Sequence, residues 1–349
     1  MNFNLLKKVE LHTHLDCSLS YGAVKKTFPD ITIPEYKKKF IGSSCENLKD
    51  YLKCVERSVQ IMQNKYQLIL AVIDLFDQLQ KDNVVYVEIR FAPLLHLKKG
   101  LNSAQVVEII LNQCKIESKK RKIKFGLILC TLRHFSESDS LQTVKLINDF
   151  NDENIVGFDL AADETAHPLD NHVKAFEFAR ENNIYCTSHA GEALGYQSVV
   201  ETLDKLKTNR IGHGVRSYEN ICLLERLKKE KVHLEICPTS NLLTGVFSSL
   251  TQHPVNEFYK QILPILYKAA VDGKPFVTIS SEHANISSVA DILADKLIKQ
   301  NGIYRFIANQ RECQIELVST SNHYQYSYDN PNYNTDTPLL NSTENSSEE

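Results

Sequence analysis

The chain has no Cys-x-x-Cys pair, no Gly-x-Gly-x-x-Gly loop and no apolar run long enough to span a bilayer. Each absence removes a class of function. The nine cysteines, an odd number dispersed over 349 residues, read as reduced thiols, and Cys130, Cys186 and Cys237 sit in apolar runs where a thiol packs as a small hydrophobe. Without the glycine loop there is no dinucleotide cradle after an early strand. The missing apolar run removes a spanning helix, and with no signal-peptide pattern at the N-terminus the expected location is the cytoplasm. Charge of one sign is scarce too. Lys plus Arg number 40 against 43 Asp plus Glu, a formal net charge of −3, and the cations form no stripe, which argues against nucleic acid or membrane as a partner. At 42% apolar and 24% charged, the chain can bury a full core. Its oligomeric state is not legible.

What is present is organised around Lys8-Val9-Glu10-Leu11-His12-Thr13-His14-Leu15-Asp16. Apolar and polar residues alternate there as in a buried strand. Residues two apart on a strand share a face, so His12 and His14 project side by side, a geometry that suits zinc, with Asp16 just beyond the strand end. A helical stretch follows, punctuated by Pro29 and Pro34 and carrying Leu48, Leu52, Val55, Val59 and Met62 at helical spacing. A helix through Leu68–Leu79 then meets the strand Val84–Phe91, and another from Ser103 meets Phe125–Cys130. Further strands are expected at 155–160, 184–189, 209–213 and 232–237, with helices near 140–150, 171–182, 197–207 and 219–230. Short β-rich runs separated by helices imply parallel strands and right-handed crossovers.

Polar residues gather where these strands end: His12-Thr13-His14, Glu88-Ile89-Arg90, Asp163-Glu164, Ser188-His189-Ala190-Gly191-Glu192, Gly212-His213-Gly214 and Cys237-Pro238-Thr239-Ser240-Asn241. A (β/α)₈ barrel of the TIM type collects all its C-terminal strand ends on one face, where its active site lies, and this is the expected fold. A doubly wound open sheet is the runner-up.

Five segments in order carry a resemblance: Lys-Val-Glu-Leu-His-x-His-Leu-Asp, Asp-Leu-Ala-x-Asp-Glu, Ser-His-Ala-Gly-Glu, Arg-Ile-Gly-His-Gly and Cys-Pro-Thr-Ser-Asn. Together, over residues 7–260, they resemble the adenosine deaminase family. The resemblance implies a metal-dependent (β/α)₈ barrel with one zinc ion per chain, bound by His12, His14 and His189. It implies Glu192 as the proton shuttle to the purine ring, His213 beside the attacking water, Asp16 on the ribose hydroxyls and the Ala161-Ala162 backbone facing the purine edge. The implied partner is a small purine nucleoside. The implied reaction converts adenosine or 2′-deoxyadenosine to its inosine product and ammonia, a step of purine salvage.

The chemistry supplies reasons of its own. Displacing an amine from an aromatic carbon at neutral pH needs a strong nucleophile, which a divalent metal supplies by lowering the pKa of bound water to about 7. Glu192, three residues after a ligand, would protonate the ring nitrogen as water attacks. Gly212 and Gly214 remove bulk beside His213. The Pro-Cys-x-x-Cys signature of unrelated nucleobase deaminases is absent. His96, His134, His172, His233 and His253 read as structural or surface residues, and Thr239-Ser240-Asn241 as either a turn or a lining of the site.

The sequence departs from the family at its C-terminal part. The family's eighth strand ends in Asn/Ser-Thr-Asp-Asp-Pro, whose first Asp completes the metal site. Two stretches compete for that place: Phe276–His283, strand-like and offering Glu282, and Tyr333–Leu340, a closer motif match offering Asp336. Asp336 is the expected ligand because the residues on both sides of it match as well. In either stretch the second carboxylate is replaced, by His283 or Thr337. If residues 261–332 are an insertion, the eighth unit is irregular or incomplete and leaves open strand edges. The expected division is a barrel over residues 1–317 and a polar, flexible tail over 318–349. Cys17 and Ala162 stand where the family has glycine, and the backbone contact at 162 survives only if its torsions suit a residue with a Cβ. Other readings are a deaminase of adenine or of a 5′-modified adenosine, and a metal- or purine-binding protein without turnover.

Overall fold

Aliphatic and β-branched runs become β1 (Lys8–His14), β2 (Val84–Phe91), β3 (Lys124–Leu132), β4 (Ile155–Ala161), β5 (Cys186–Ala190), β6 (Arg210–His213), β7 (His233–Ile236) and a two-residue β8 (Thr278–Ile279). They form one eight-stranded sheet in sequence order, every neighbouring pair parallel. The computed structural model describes residues 7–255 except 44, residue 258, and the short strands 278–279, 304–308, 313–317, 319–320 and 323–324.

Helices fill the crossovers. Helices α1 (Tyr21–Thr27), α2 (Ile33–Tyr36), α3 (Leu48–Gln60) and α4 (Lys65–Lys81) lie between β1 and β2. Then α5 (Ser103–Arg121), α6 (Glu137–Phe150), α7 (Val173–Glu181), α8 (Tyr196–Leu206) and α9 (Ile221–Glu230) each join one strand to the next, and α10 (Pro238–Leu243) follows β7. Their starts are chemically marked: Asn47, Asn64 and Asn220 cap α3, α4 and α9, and Asn102 with Gln105 and Ser136 with Asp139 form capping boxes on α5 and α6.

This is the expected (β/α)₈-type barrel. The strand expected from residue 184 begins instead at Cys186, because the Ile184 N–H closes the end of α7 on the Ala179 carbonyl at 2.8 Å. Among the described residues no pairing joins β8 back to β1. Beyond it, β9 (Tyr304–Ala308) pairs antiparallel with β10 (Cys313–Leu317), and β11 (Ser319–Thr320) with β12 (His323–Tyr324). Glu282, Asp336 and the helix expected over Val289–Lys299 lie outside the described residues.

Alternation along the strands builds two environments. Ile89, Leu127, Leu129, Phe158 and Leu160 pack in one cluster with Leu68, Val72 and Phe76 of α4, Ile110 of α5, Val144 of α6 and Phe176 of α7, each such burial stabilising by roughly 1.5–3 kcal/mol. The intervening Arg90, Asp159 and Glu235, all 0% exposed, meet one another instead. A second cluster of Val199, Leu203, Ile211, Leu223, Leu227 and Leu234 seats α8 and α9 on β6 and β7. Eight cysteines among the described residues are free thiols, Cys130 and Cys237 buried and Cys186 half-buried.

Candidate active site

The register of β1 against β2 slips between Glu10 and Thr13. Such a bulge releases residues from the ladder and re-aims a side chain. The Leu11 carbonyl accepts instead from Arg90 Nη2 at 2.9 Å and Arg210 Nη2 at 3.0 Å, and His12 turns into the barrel. Its Nε2 lies 3.1 Å from His189 Nε2 at the end of β5, and His14 Nε2 lies at the same 3.1 Å from that atom. His213, at the end of β6, joins them: ring nitrogens of His12, His189 and His213 all fall within 4.8 Å of one another.

The protons on these rings decide what the cluster can hold. His12 Nδ1 donates to Glu235 Oε2 at 2.6 Å and His189 Nδ1 to Asp159 Oδ1 at 3.2 Å. With those protons placed, the two Nε2 atoms turn lone pairs toward each other, which is repulsive unless a cation lies between them. A tetrahedral zinc site with Zn–N bonds of about 2.0–2.1 Å separates its nitrogens by about 3.3–3.4 Å, close to the spacing found. The carboxylates behind the rings are the partners that metal-binding imidazoles characteristically keep. Gly212 stands between Ser188-His189 and Glu235 in the strand register, and a Cβ there would meet His12 Cε1 and His189 Cγ at 3.1 Å. Glycine leaves the rings that room.

Around this cluster stand the other candidates. Glu192, 6% exposed on the loop after β5, brings Oε2 to 3.5 Å from His213 Nε2. His213 holds a left-handed backbone, φ +60°, a conformation that costs a side-chain-bearing residue about 1–3 kcal/mol and gathers at functional sites. The Gly214 N–H on the Ala190 carbonyl at 2.9 Å ties that turn to β5. Asp16 is buried in the short turn after β1; Oδ1 meets His96 Nε2 at 2.9 Å and Oδ2 accepts the Ala92 N–H at 3.1 Å. Ala162, after β4, has φ +78°, so its backbone keeps a conformation natural to glycine despite the Cβ.

The adenosine deaminase family model matches residues 7–271. The chain belongs to the adenosine deaminase family. It is 32% identical over 323 residues to the adenosine deaminase of Clostridium acetobutylicum, covering 90% of this chain and 96% of that one. Its fold resembles the crystal structure of an adenine deaminase from Arthrobacter aurescens, TM-score 0.69 at 21% identity over 83% and 86% of the two chains. It also resembles an Arabidopsis N6-mAMP deaminase, TM-score 0.69 at 21% identity over 85% and 88%. This adenosine deaminase family member is a hydrolase of a metal-dependent family. No helix among its described residues is long and apolar enough to cross a membrane.

The charged layer beneath the histidines was not assigned from the sequence. Arg90 donates to Asp159 Oδ2 at 3.2 Å and to Glu235 Oε2 at 2.9 Å; Arg210 donates to Glu235 and, at 2.5 Å, to Glu88. Burial alone would raise the Glu235 pKa, but Arg210, Arg90 and His12 outweigh it and hold the carboxylate well below its ordinary range. Asp159 is held low against the same burial by His189 and Arg90. Both carboxylates therefore stay ionised and fix the Nδ1–H tautomer of the ring in front of them. The signal was a lone acid in an apolar strand, Phe158-Asp159-Leu160 and Leu234-Glu235-Ile236. His96 and Asn241 also belong here: His96 bridges Asp16 to the Met62 carbonyl, 2.8 Å from Nδ1, and Asn241 Nδ2 lies 3.3 Å from His213 Nδ1. Thr239-Ser240-Asn241 is thus a helical turn that touches the site through Asn241.

Proposed function

We propose that the chain carries out the hydrolytic deamination of adenosine and 2′-deoxyadenosine with one bound zinc ion. The observation that carries this reading is His189 Nε2 lying 3.1 Å from both His12 Nε2 and His14 Nε2, with Glu192 and His213 paired beside them. The three histidines hold the ion. When bound, it supplies Lewis-acid chemistry that makes water a nucleophile at neutral pH.

The remaining steps belong to the chain. Glu192 holds the proton that passes to a purine ring nitrogen as water adds to the amine-bearing carbon, so negative charge does not build up on the ring; of the water's two protons one restores the Glu192 carboxyl and the other goes to the amine, whose C–N bond breaks to release ammonia. His213 stands beside the attacking water: its Nδ1 accepts from Asn241 Nδ2, so its Nε2–H donates toward the water oxygen, and Asn241 Oδ1 in turn lies 3.1 Å from His253 Nε2. Asp16, held along one edge by His96 and the Ala92 N–H, keeps lone pairs free for ribose hydroxyls. The Ala162 backbone presents itself to the purine edge.

The fourth ligand is a carboxylate from the C-terminal part. The pairing of Thr278–Ile279 with β7 supports Glu282, three residues further on, over Asp336, the closer motif match. Glu282→Ala and Asp336→Ala in the full chain separate them, because the ligand's variant loses zinc and turnover while the other keeps both. For the substrate, the relative named adenosine deaminase supports a nucleoside, whereas the structural likenesses include enzymes named for adenine and N6-mAMP. Turnover of adenosine, 2′-deoxyadenosine, adenine and N6-methyl-AMP compared by kcat/KM tests the choice. The nucleosides should lead by at least tenfold; equal turnover of adenine would overturn the role given to Asp16.

A further inference from the structure

The loop between β5 and α8 must hold Glu192 at a fixed height over the histidines, yet the usual device for fixing such a loop is missing. Gly195, the N-cap of α8, has no side chain to cap the helix. A buried carboxylate from the neighbouring unit does the work instead. Glu164, 5% exposed on the loop after β4, accepts the N–H groups of Ala193 at 2.5 Å and Leu194 at 2.7 Å on Oε1. On Oε2 it accepts the Gly191 N–H at 3.0 Å and the Ser198 hydroxyl at 2.6 Å. An ionised carboxylate offers about four lone-pair sites, and here donors fill them from both sides of Glu192. The motif Asp163-Glu164 stood out in the sequence at a strand end, and the deamination chemistry above leaves it without a role.

We propose that Glu164 is a positioning residue for Glu192. It touches no substrate; it converts a run of backbone N–H groups into a rigid cradle, as an anion does in a concave nest of amides. The neighbouring ligand has separate support. His189 is held by its ladder to Gly212, by Asp159 and by Arg133, whose Nη2 donates to the His189 carbonyl at 3.0 Å. Gly191, with φ +64° and a would-be Cβ only 2.5 Å from Val199 Cγ2, forms the joint between the two. Loss of the cradle therefore displaces the acid and leaves the histidines in place. This inference rests on the reading of Glu192 as the proton donor.

Glu164→Gln is the test, because the amide must turn an NH₂ group toward one of the two donor pairs. A 1 Å misplacement of a reacting group costs on the order of 10²-fold in rate. The variant should lose about 10- to 100-fold in kcat on adenosine, keep KM within about threefold and keep the wild-type zinc content. Amide exchange at residues 191–194 should accelerate. In a Glu192→Gln background the same substitution should cost no further kcat, since it acts through that carboxyl. Ser198→Ala, which leaves three N–H contacts, should stay near wild type. If Glu164→Gln does not fold, Glu164→Asp, charged but one methylene short, is read by the same split. Unchanged kcat, parallel loss of zinc, or full additivity with Glu192→Gln overturns the proposal. An inactive wild type would fail the deamination reading instead, and exchange at 191–194 then judges the cradle by itself: acceleration upholds it and unchanged protection overturns it.

Discussion

Glu235→Gln probes the layer that orients the rings proposed to hold zinc. Glu235 Oε2 takes His12 Nδ1 at 2.6 Å and Arg90 Nη2 at 2.9 Å, while Oε1 takes Arg210 Nε. Donors therefore face both oxygens, and either orientation of the amide sets NH₂ against N–H. The two arginines are not stranded, since Arg90 keeps Asp159 at 3.2 Å and Arg210 keeps Glu88 at 2.5 Å. The loss of stability should fall at or below the lower end of the roughly 3–5 kcal/mol that follows breaking a buried pair outright. His12 loses the carboxylate that fixes its tautomer, and removing such a partner lowers metal affinity by about 10- to 100-fold, or roughly 1.4–2.7 kcal/mol. Chelator competition measures the second quantity and urea denaturation of the metal-free protein the first. Zinc affinity within threefold of wild type (a shift well under about 1 kcal/mol), together with unchanged stability, would refute the argument that Glu235 orients His12.

Three further outcomes follow from local geometry. Gly212→Ala presses a Cβ to 3.1 Å from His12 and His189, so zinc affinity should drop at least as far as in Glu235→Gln; unchanged affinity would mean that the rings have room to spare. Ala162→Gly relieves φ +78°, worth about 1–2 kcal/mol for an L-residue against about 0.5–1 of added chain entropy, and should raise the melting temperature slightly; a lower one would contradict the strain. Burial pushes His172 and His253 down to about 4 from about 6.5 in the unfolded chain. The unfolded chain then binds more protons between those values, so stability falls as pH drops through that window, by up to about 3 kcal/mol per histidine. Denaturation midpoints for wild type and His172→Gln should converge toward pH 4, and parallel curves would count against the buried neutral ring.

How much of this could be read in the sequence depended on whether a residue's role was local. That His12 and His14 lie near each other was legible because residues two apart on one strand are neighbours, and the strand–helix rhythm was legible because periodicity is local too. Glu235, Asp159 and Arg90 are long-range partners: the His12–Glu235 contact spans 223 positions, and nothing near either residue announces the other. His96 read as a structural histidine, yet it grips Asp16 from 80 residues away. The bulge at Leu11 had no signature in its alternating pattern. Ala162 shows the reverse case, where the sequence posed a condition on the torsions and only the backbone could answer it.

The proposed reaction needs three histidines to hold one zinc ion and Glu192 to deliver the proton. Purified wild type and Glu192→Gln, assayed together for zinc per chain and for the ultraviolet change as adenosine becomes inosine, test it most directly. One zinc is expected in both proteins, with turnover in the wild type and a loss of about 10²- to 10⁴-fold in the variant. Full turnover by Glu192→Gln, or by wild type stripped of metal, would contradict it.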